Sequence, residues 1–257
     1  MQKLLLSEIE NAKKKLEGKI VKTPILPLEG SKIKSSLPVE SKSFIKLELY
    51  QHTGSFKARG NLLAVDKLTD EQKIRGVVAV SAGNHALAVS WAAKQVGTHA
   101  KLFMPKTADP FRVEGCRNLG AEVILLSDVK LCFEKLLESS EKEKRTILHP
   151  FDSKNMALGS ATLGLEISDS INDLDIAILP VGGGGLISGA ATALKLKNPK
   201  LTIFGIEPLG ADSMKRSFEE SRPVTLDKVN TIADSLGAPM AMKYSYELTR
   251  KSVDKIF

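Results

Sequence analysis

Gly76-Val77-Val78-Ala79-Val80-Ser81-Ala82-Gly83-Asn84-His85 runs from a β-branched apolar segment into small polar residues. A continuous apolar run of that kind, bounded by turn residues, reads as a strand covered on both faces, as in a parallel sheet. The next segment, through Trp91 to Val96, reads as a helix stopped by Gly97. The unit then recurs. Residues 100–104 form a strand stopped by Pro105, residues 110–119 a helix ending at Gly120, and residues 121–126 the next strand. Val129, Cys132, Phe133, Leu136 and Leu137 mark the stripe of a core-facing helix. A short strand over 146–148 comes after it. Such alternation implies a doubly wound parallel α/β sheet.

Downstream the theme returns with a different loop. A helix over 155–171 leads to a strand over 176–179, which enters Pro180-Val181-Gly182-Gly183-Gly184-Gly185-Leu186-Ile187-Ser188-Gly189. A helix over 190–196, a strand over 201–206 ending at Glu207, and helices over 211–219 and 239–253 complete the pattern. Val253-Asp254-Lys255-Ile256-Phe257 reads as the entrance to a further strand. Upstream, residues 7–17 form a helix with a Ser7…Glu10 capping box and a stop at Gly18. Pro24 and Pro27 make residues 22–28 extended. The alternating residues 44–49 predict a strand that hands over to a helix near Lys57.

Composition narrows the function classes. The net charge is +7, but the lysines are interspersed with Glu along helices and are not interleaved with aromatics. Lys13-Lys14-Lys15 lies on an amphipathic helix, so a solvated face, not a nucleic-acid surface, is expected. Cys116 and Cys132 form no metal or redox pair and read as buried free thiols of a reducing compartment. Leu4-Leu5-Leu6 is too short for a signal core, and no apolar run reaches membrane-spanning length. A cytoplasmic protein without a membrane partner is the expectation.

Three loops carry chemistry. Between a buried strand and a helix, Gly182–Gly185 leave backbone N–H groups free to converge on an anion, with the helix N-terminus adding partial positive charge. A phosphate is the natural ligand. Gly183, Gly185 and Glu207 resemble a dinucleotide fingerprint, but Ser188 stands where its third glycine belongs, and no Gly-Lys-Ser/Thr completes a P-loop. Ser81-Ala82-Gly83-Asn84-His85 is a second strand-to-helix loop whose N–H groups suit a carboxylate, with Asn84 able to cap the helix or make a directed hydrogen bond. The third is Thr53-Gly54-Ser55-Phe56-Lys57-Ala58-Arg59-Gly60. His52, His99 and His149 have no metal-ligand spacing and receive no role.

In that order, these three stretches resemble the fold-type II pyridoxal-phosphate enzymes, and within them the serine/threonine dehydratases. The resemblance runs from about Thr23 to the last residue. It implies a tryptophan-synthase-β-like fold of two doubly wound parallel-sheet domains with the cofactor between them. The large domain would comprise residues 1–50 and 151–257, and the small one 51–150. Lys57 would form the Schiff base with pyridoxal 5'-phosphate, Phe56 would pack beside its ring, and Asn84 would bond the ring hydroxyl. The amides of Gly182, Gly183, Gly184, Gly185 and Leu186 would hold the phosphate. Ser81, Ala82, Gly83, Asn84 and His85 would take the substrate carboxylate. The implied reaction is β-elimination of water from threonine, serine or a related 3-hydroxy amino acid, giving a 2-oxo acid and ammonia. A homodimer is the implied assembly.

Departures from the family pattern refine this. Racemases of the family carry a serine at the position of Ala82, so alanine favours a dehydratase. Leu158-Gly159-Ser160-Ala161-Thr162 and Ala233-Asp234-Ser235-Leu236-Gly237-Ala238-Pro239 differ from the usual dehydratase stretches, and are expected near the substrate side. Some relatives bind a divalent cation through a Glu, a carbonyl and an Asp. Glu207 and Ala211 match the first two, while Ser213 occupies the third place, so a weak or absent metal is expected. No candidate partner for the pyridine nitrogen occurs before Phe257, which leaves a non-catalytic relative as the rival reading. A racemase or a β-replacement synthase is a further one.

Overall fold

The computed structural model describes residues 3–38 and 40–257. Helix α1 (Leu6–Leu16) is followed by β1 (Ile25–Pro27), α2 (Ser31–Ser36) and β2 (Phe44–Lys46). Next come α3 (Lys57–Asp66), α4 (Asp70–Arg75), β3 (Val77–Val80), α5 (Asn84–Gln95) and β4 (Ala100–Pro105). Then α6 (Pro110–Asn118), β5 (Glu122–Leu126), α7 (Val129–Lys142) and β6 (Thr146–Ile147) complete one sheet. Its four strands lie in the order β5-β4-β3-β6, all parallel. Helix α8 (Lys154–Ser168) leads to β7 (Ile176–Pro180), α9 (Ile187–Lys197), β8 (Thr202–Ile206), α10 (Ser213–Glu219), α11 (Lys243–Ser252) and β9 (Lys255–Ile256). These three strands form a second parallel sheet in the order β7-β8-β9. The predicted α/β class with parallel sheets holds, and the final residues do enter a strand beside β8.

Four expectations change. The run 44–49 is a strand only to Lys46, and it pairs antiparallel with β1 as a separate two-stranded unit. From Glu48 to Gly54 the chain makes two 3₁₀ turns, with Thr53 (φ 61°) and Gly54 (φ 70°) in the left-handed region. Lys57 therefore comes after a pair of tight turns, not the end of a parallel strand. Helix α1 starts a residue earlier than its sequence suggests, because Glu8, not Glu10, accepts the Leu5 N–H at 3.1 Å. In α7 only Cys132 and Leu136 of the apolar stripe are buried, against Val78 and Phe103 of the sheet, while Val129, Phe133 and Leu137 are about half exposed. The stripe is wider than the strip of sheet available to it.

The fourth correction concerns Leu158–Thr162. These residues are buried in the middle of α8, and none of them lines the large cavity that Lys57 lines. Helix α8 lies between α3 and α9 and meets both at glycine. A Cβ on Gly159 would overlap the backbone of Gly60, and one on Gly189 would overlap the carbonyl of Ala157. Ser160 donates to the Gly185 carbonyl at 2.8 Å. One helix thus fixes the distance between the start of α3, where Lys57 sits, and the glycine loop at the start of α9. Ala58, Leu62, Val65, Ala157, Ala161 and Leu165 continue into the apolar core that also takes in α1 and α5, and Leu179, Val181, Ile187, Ala190 and Ile203 form the core of the second sheet.

Candidate active site

The chemistry at Lys57 starts from its burial. Its amine touches the Pro150 carbonyl at 2.9 Å and lies 5.0 Å from the Phe56 ring centroid. Removal from water disfavours the charged form, and the amine is lowered to about 8 from 10.5. A group poised there supplies a neutral nucleophile close to neutral pH.

Behind it, a buried ionic cluster holds the first turn of α3. Arg59 donates to Glu48 through Nε at 2.9 Å and Nη2 at 2.8 Å, and to Glu166 on α8 through Nη1 at 2.6 Å and Nη2 at 3.0 Å. Lys46 reaches the same Glu166 at 2.5 Å, and Thr23 donates to Glu48 at 2.6 Å. Burial opposes the charge on Glu166, but the bonds from Arg59 and Lys46 outweigh it and hold its carboxyl below the usual range. The sequence signals none of this, since the partners lie up to 120 residues apart.

A second support runs through His85. Its Nε2 donates to the Leu148 carbonyl at 3.0 Å, so Nδ1 is free to accept from Asn61 at 3.3 Å. Asn61 also donates to the Lys57 carbonyl at 2.9 Å. The His85 ring is buried and engaged at both nitrogens, so any contribution of this residue to a carboxylate site comes from its backbone. Burial, then the nearby Lys57 charge, lowers His85 to about 3 from 6.5. The unfolded chain therefore binds this proton over a range where the folded chain does not, and stability falls as pH drops from about 6.5 toward 3. Urea unfolding at pH 7, 5 and 4 is expected to show an acid slope that His85→Gln makes shallower by about 1.4 kcal/mol per pH unit.

The glycine loop lies across from Lys57. Gly184 adopts φ 85°, and Phe151 sits beneath Gly183 and Gly185: a Cβ on Gly185 would stand 2.8 Å from the Phe151 Cβ. The cradle is open toward the cavity and filled from below, at the N-terminus of α9, an arrangement that suits a phosphate. Phe56, Lys57, Ser81, Ala82, Gly83, Asn84, His85, Gly182, Gly183, Gly184, Gly185 and Leu186 all line one cavity of about 2190 Å³. Asp234, Ser235, Leu236, Gly237 and Ala238 line it too, as their sequence suggests. That volume exceeds the few hundred to about 1,000 Å³ of most small-ligand sites, because the space continues along β1, β2 and the exposed Ile176 and Ile178 of β7. Gly83 N–H donates to Ser81 Oγ at 3.2 Å. Across the mouth, Arg112 on α6 pairs with Asp234 at 2.7 Å. The residues present fit pyridoxal phosphate: a buried, partly neutral amine, an anion cradle at a helix N-terminus, and room for a ring between them.

Glu207 and Ala211 do not line this cavity. Both Glu207 oxygens accept from the first turn of α10, from Met214 at 3.0 Å and Lys215 at 2.7 Å. Burial raises its carboxyl to about 7 despite those bonds. Both carboxylate oxygens are thus engaged as a cap of α10, and no group of three or more His, Cys, Asp or Glu that could hold a metal ion occurs among the described residues.

Residues 16–257 match the model of the family described as pyridoxal-phosphate dependent enzyme. The chain belongs to this family. It is 48% identical over 214 residues to phenylserine dehydratase of Ralstonia pickettii, covering 82% of this chain and 65% of that one. It is 39% identical over 255 residues to the catabolic L-threonine dehydratase TdcB of Staphylococcus aureus, covering 97% of this chain and 72% of that one. Among solved structures, maize serine racemase superposes with a TM-score of 0.91 at 34% identity, over 98% of this chain and 75% of that one. The chain thus spans about two thirds to three quarters of these relatives. The family, the fold and the cofactor that the sequence implies are borne out. No helix among the described residues is long and apolar enough to cross a membrane.

Proposed function

We propose that the chain is a pyridoxal-phosphate-dependent ammonia-lyase that removes water from a 3-hydroxy amino acid, L-threonine, L-serine or a β-substituted relative, to give a 2-oxo acid and ammonia. The observation that carries this reading is the convergence of Lys57, the Ser81–His85 loop and the Gly182–Leu186 cradle on one cavity. The 48% identity to a phenylserine dehydratase favours dehydration and admits an aryl β-substituent. The cofactor, when bound, supplies an electron sink for charge developing at the substrate Cα. Lys57 would hold it covalently and, with a neutral amine near pH 8, take the Cα proton as general base. The amides of Gly182–Leu186 and the α9 dipole would retain the phosphate, and Phe56 would face the ring. The Ser81–His85 loop would fix the carboxylate, with Asn84 at the ring edge. On this reading residues 51–150 are the small domain, residues 1–50 and 151–257 the large one, and Glu207 serves α10 instead of a metal.

Keto-acid release from L-threo-phenylserine, L-threonine and L-serine tests the proposal. Lys57→Ala is expected to abolish it, together with the mass increase that borohydride leaves on the cofactor-treated wild type. Turnover that survives Lys57→Ala overturns the assignment. Reductive labelling of Lys57 by a small aldehyde is expected to reach half its limiting rate near pH 8, not 10.5. The racemase reading rests on the maize enzyme's likeness, and interconversion of D- and L-serine without keto acid would favour it.

A further inference from the structure

The short segment Leu148–Asp152 touches every part of the site. Its Leu148 carbonyl accepts from His85, its Pro150 carbonyl from Lys57, and its Phe151 underlies Gly183 and Gly185. Asp152 Oδ1 accepts the Ser245 N–H at 2.9 Å, tying the segment to the start of α11. Nothing in regular secondary structure shapes it, since β6 ends at Ile147 and α8 begins at Lys154. The His149 ring supplies the shape. Its Nδ1 accepts two backbone N–H groups, from Phe151 at 3.3 Å and from Asp152 at 2.8 Å. The same ring meets the Phe151 ring edge-on, with centroids 4.8 Å apart at 83°.

An Nδ1 that accepts two N–H groups carries no proton. Protonation would place a third hydrogen against those two donors and leave both unpaired, so the turn cannot persist around a charged ring. We propose that His149 is a positioning residue: through the 149–152 turn its neutral ring sets the floor of the anion cradle and the acceptor of Lys57, and its protonation releases the bound anion. The inference rests on reading Gly182–Leu186 as the phosphate cradle.

The groups facing His149 are Lys57 of α3, His85 of α5 and Asp152 of its own turn. Burial disfavours the charged ring first; Asp152 favours it and Lys57 opposes it, with the balance lowered from the ordinary 6.5. The ring therefore stays neutral at pH 7 and charges only as the solution becomes acidic. His85 is held to about 3 and does not titrate over the same range.

Sulfate serves as the probe because its charge is constant over this range, and pyridoxal phosphate is followed in parallel by absorbance. Three forms are compared between about pH 7.5 and 5: wild type, His149→Asn and His149→Leu. Asparagine can accept the same N–H groups two residues on and does not titrate. Wild type is expected to lose sulfate affinity toward the acid end of that range, by at most about tenfold per pH unit for one proton per site. His149→Asn is expected to bind as wild type does at the upper pH and to change less than about twofold. His149→Leu is expected to bind weakly at every pH. Hydrogen exchange at the Phe151 and Asp152 amides of the wild type should accelerate over the same acid limb. An identical acid limb in wild type and His149→Asn overturns the inference while leaving the cradle in place. Absence of sulfate and cofactor binding by the wild type at all pH values overturns the cradle reading and this inference together.

Discussion

Arg59→Met is expected to destabilise the chain by about 3–5 kcal/mol, the usual consequence of removing one partner from a buried ion pair. The guanidinium is fully buried and makes four bonds to two carboxylates, so its loss leaves Glu166 facing Lys46 and Glu48 facing the Thr23 hydroxyl, and also removes the donor that Thr162 accepts from. Met fills much of the same volume, which confines the effect to charge and hydrogen bonding. Arg59→Lys is expected to recover little, because an ammonium cannot serve two carboxylates along a planar fork. Arg59→Met combined with Glu166→Gln should recover part of the loss, since it removes one of the stranded charges. Urea denaturation midpoints of the four proteins check this. Arg59 stands two positions after Lys57 on the first turn of α3. Cofactor retention is therefore expected to fall with stability in Arg59→Met, and to return with it in the double variant. Equal stability of wild type and Arg59→Met would show that the cluster is neutral to folding.

The cluster also marks where the sequence stops being legible. Strands β3 and β4 announce themselves because a strand covered on both faces must be largely apolar, and β7 reads the same way although its Ile176 and Ile178 are exposed along the cavity. The glycine loop is equally plain, because four successive residues without side chains between a strand and a helix have few uses. The stretch 44–54 misleads for a physical reason. Lys46 and Glu48 look like the outward residues of an alternating strand, yet both turn inward to partners on α3 and α8. Alternation records which residues are polar and carries no information about which polar residues are paired. His85 and His149 are opaque in the same way. A lone histidine carries no spacing signal, and only the fold shows that one ring ties Asn61 to Leu148 while the other shapes the turn under the cradle. Leu158–Thr162 serves packing: Gly159 and Ser160 meet α3 and the Gly185 carbonyl, and none of the five reaches the cavity.

That packing makes the second large expectation. Gly189→Ala is expected to destabilise the chain by about 3 kcal/mol, at the upper end of the range for overpacked cores. The added methyl would overlap the Ala157 carbonyl oxygen and crowd its carbon at 2.8 Å, and Ser160 Oγ lies against the same point. Backbone cannot rotate away as a side chain can, so α8 and α9 must move apart. Ser160 would then lose its bond to the Gly185 carbonyl, and the cradle would shift relative to Lys57, which α8 anchors on its other side through Gly60 and Gly159. The effect on cofactor affinity should therefore exceed what unfolding alone explains, and should persist at temperatures where the variant remains folded. Gly30→Ala is the control: no atom lies within 4 Å of its Cβ and its backbone is extended, so its melting temperature and its cofactor affinity should match the wild type. A Gly189→Ala protein that melts with the wild type and loads the cofactor equally would show that α8 and α9 can part without cost, and that the distance between the lysine and the cradle is set elsewhere.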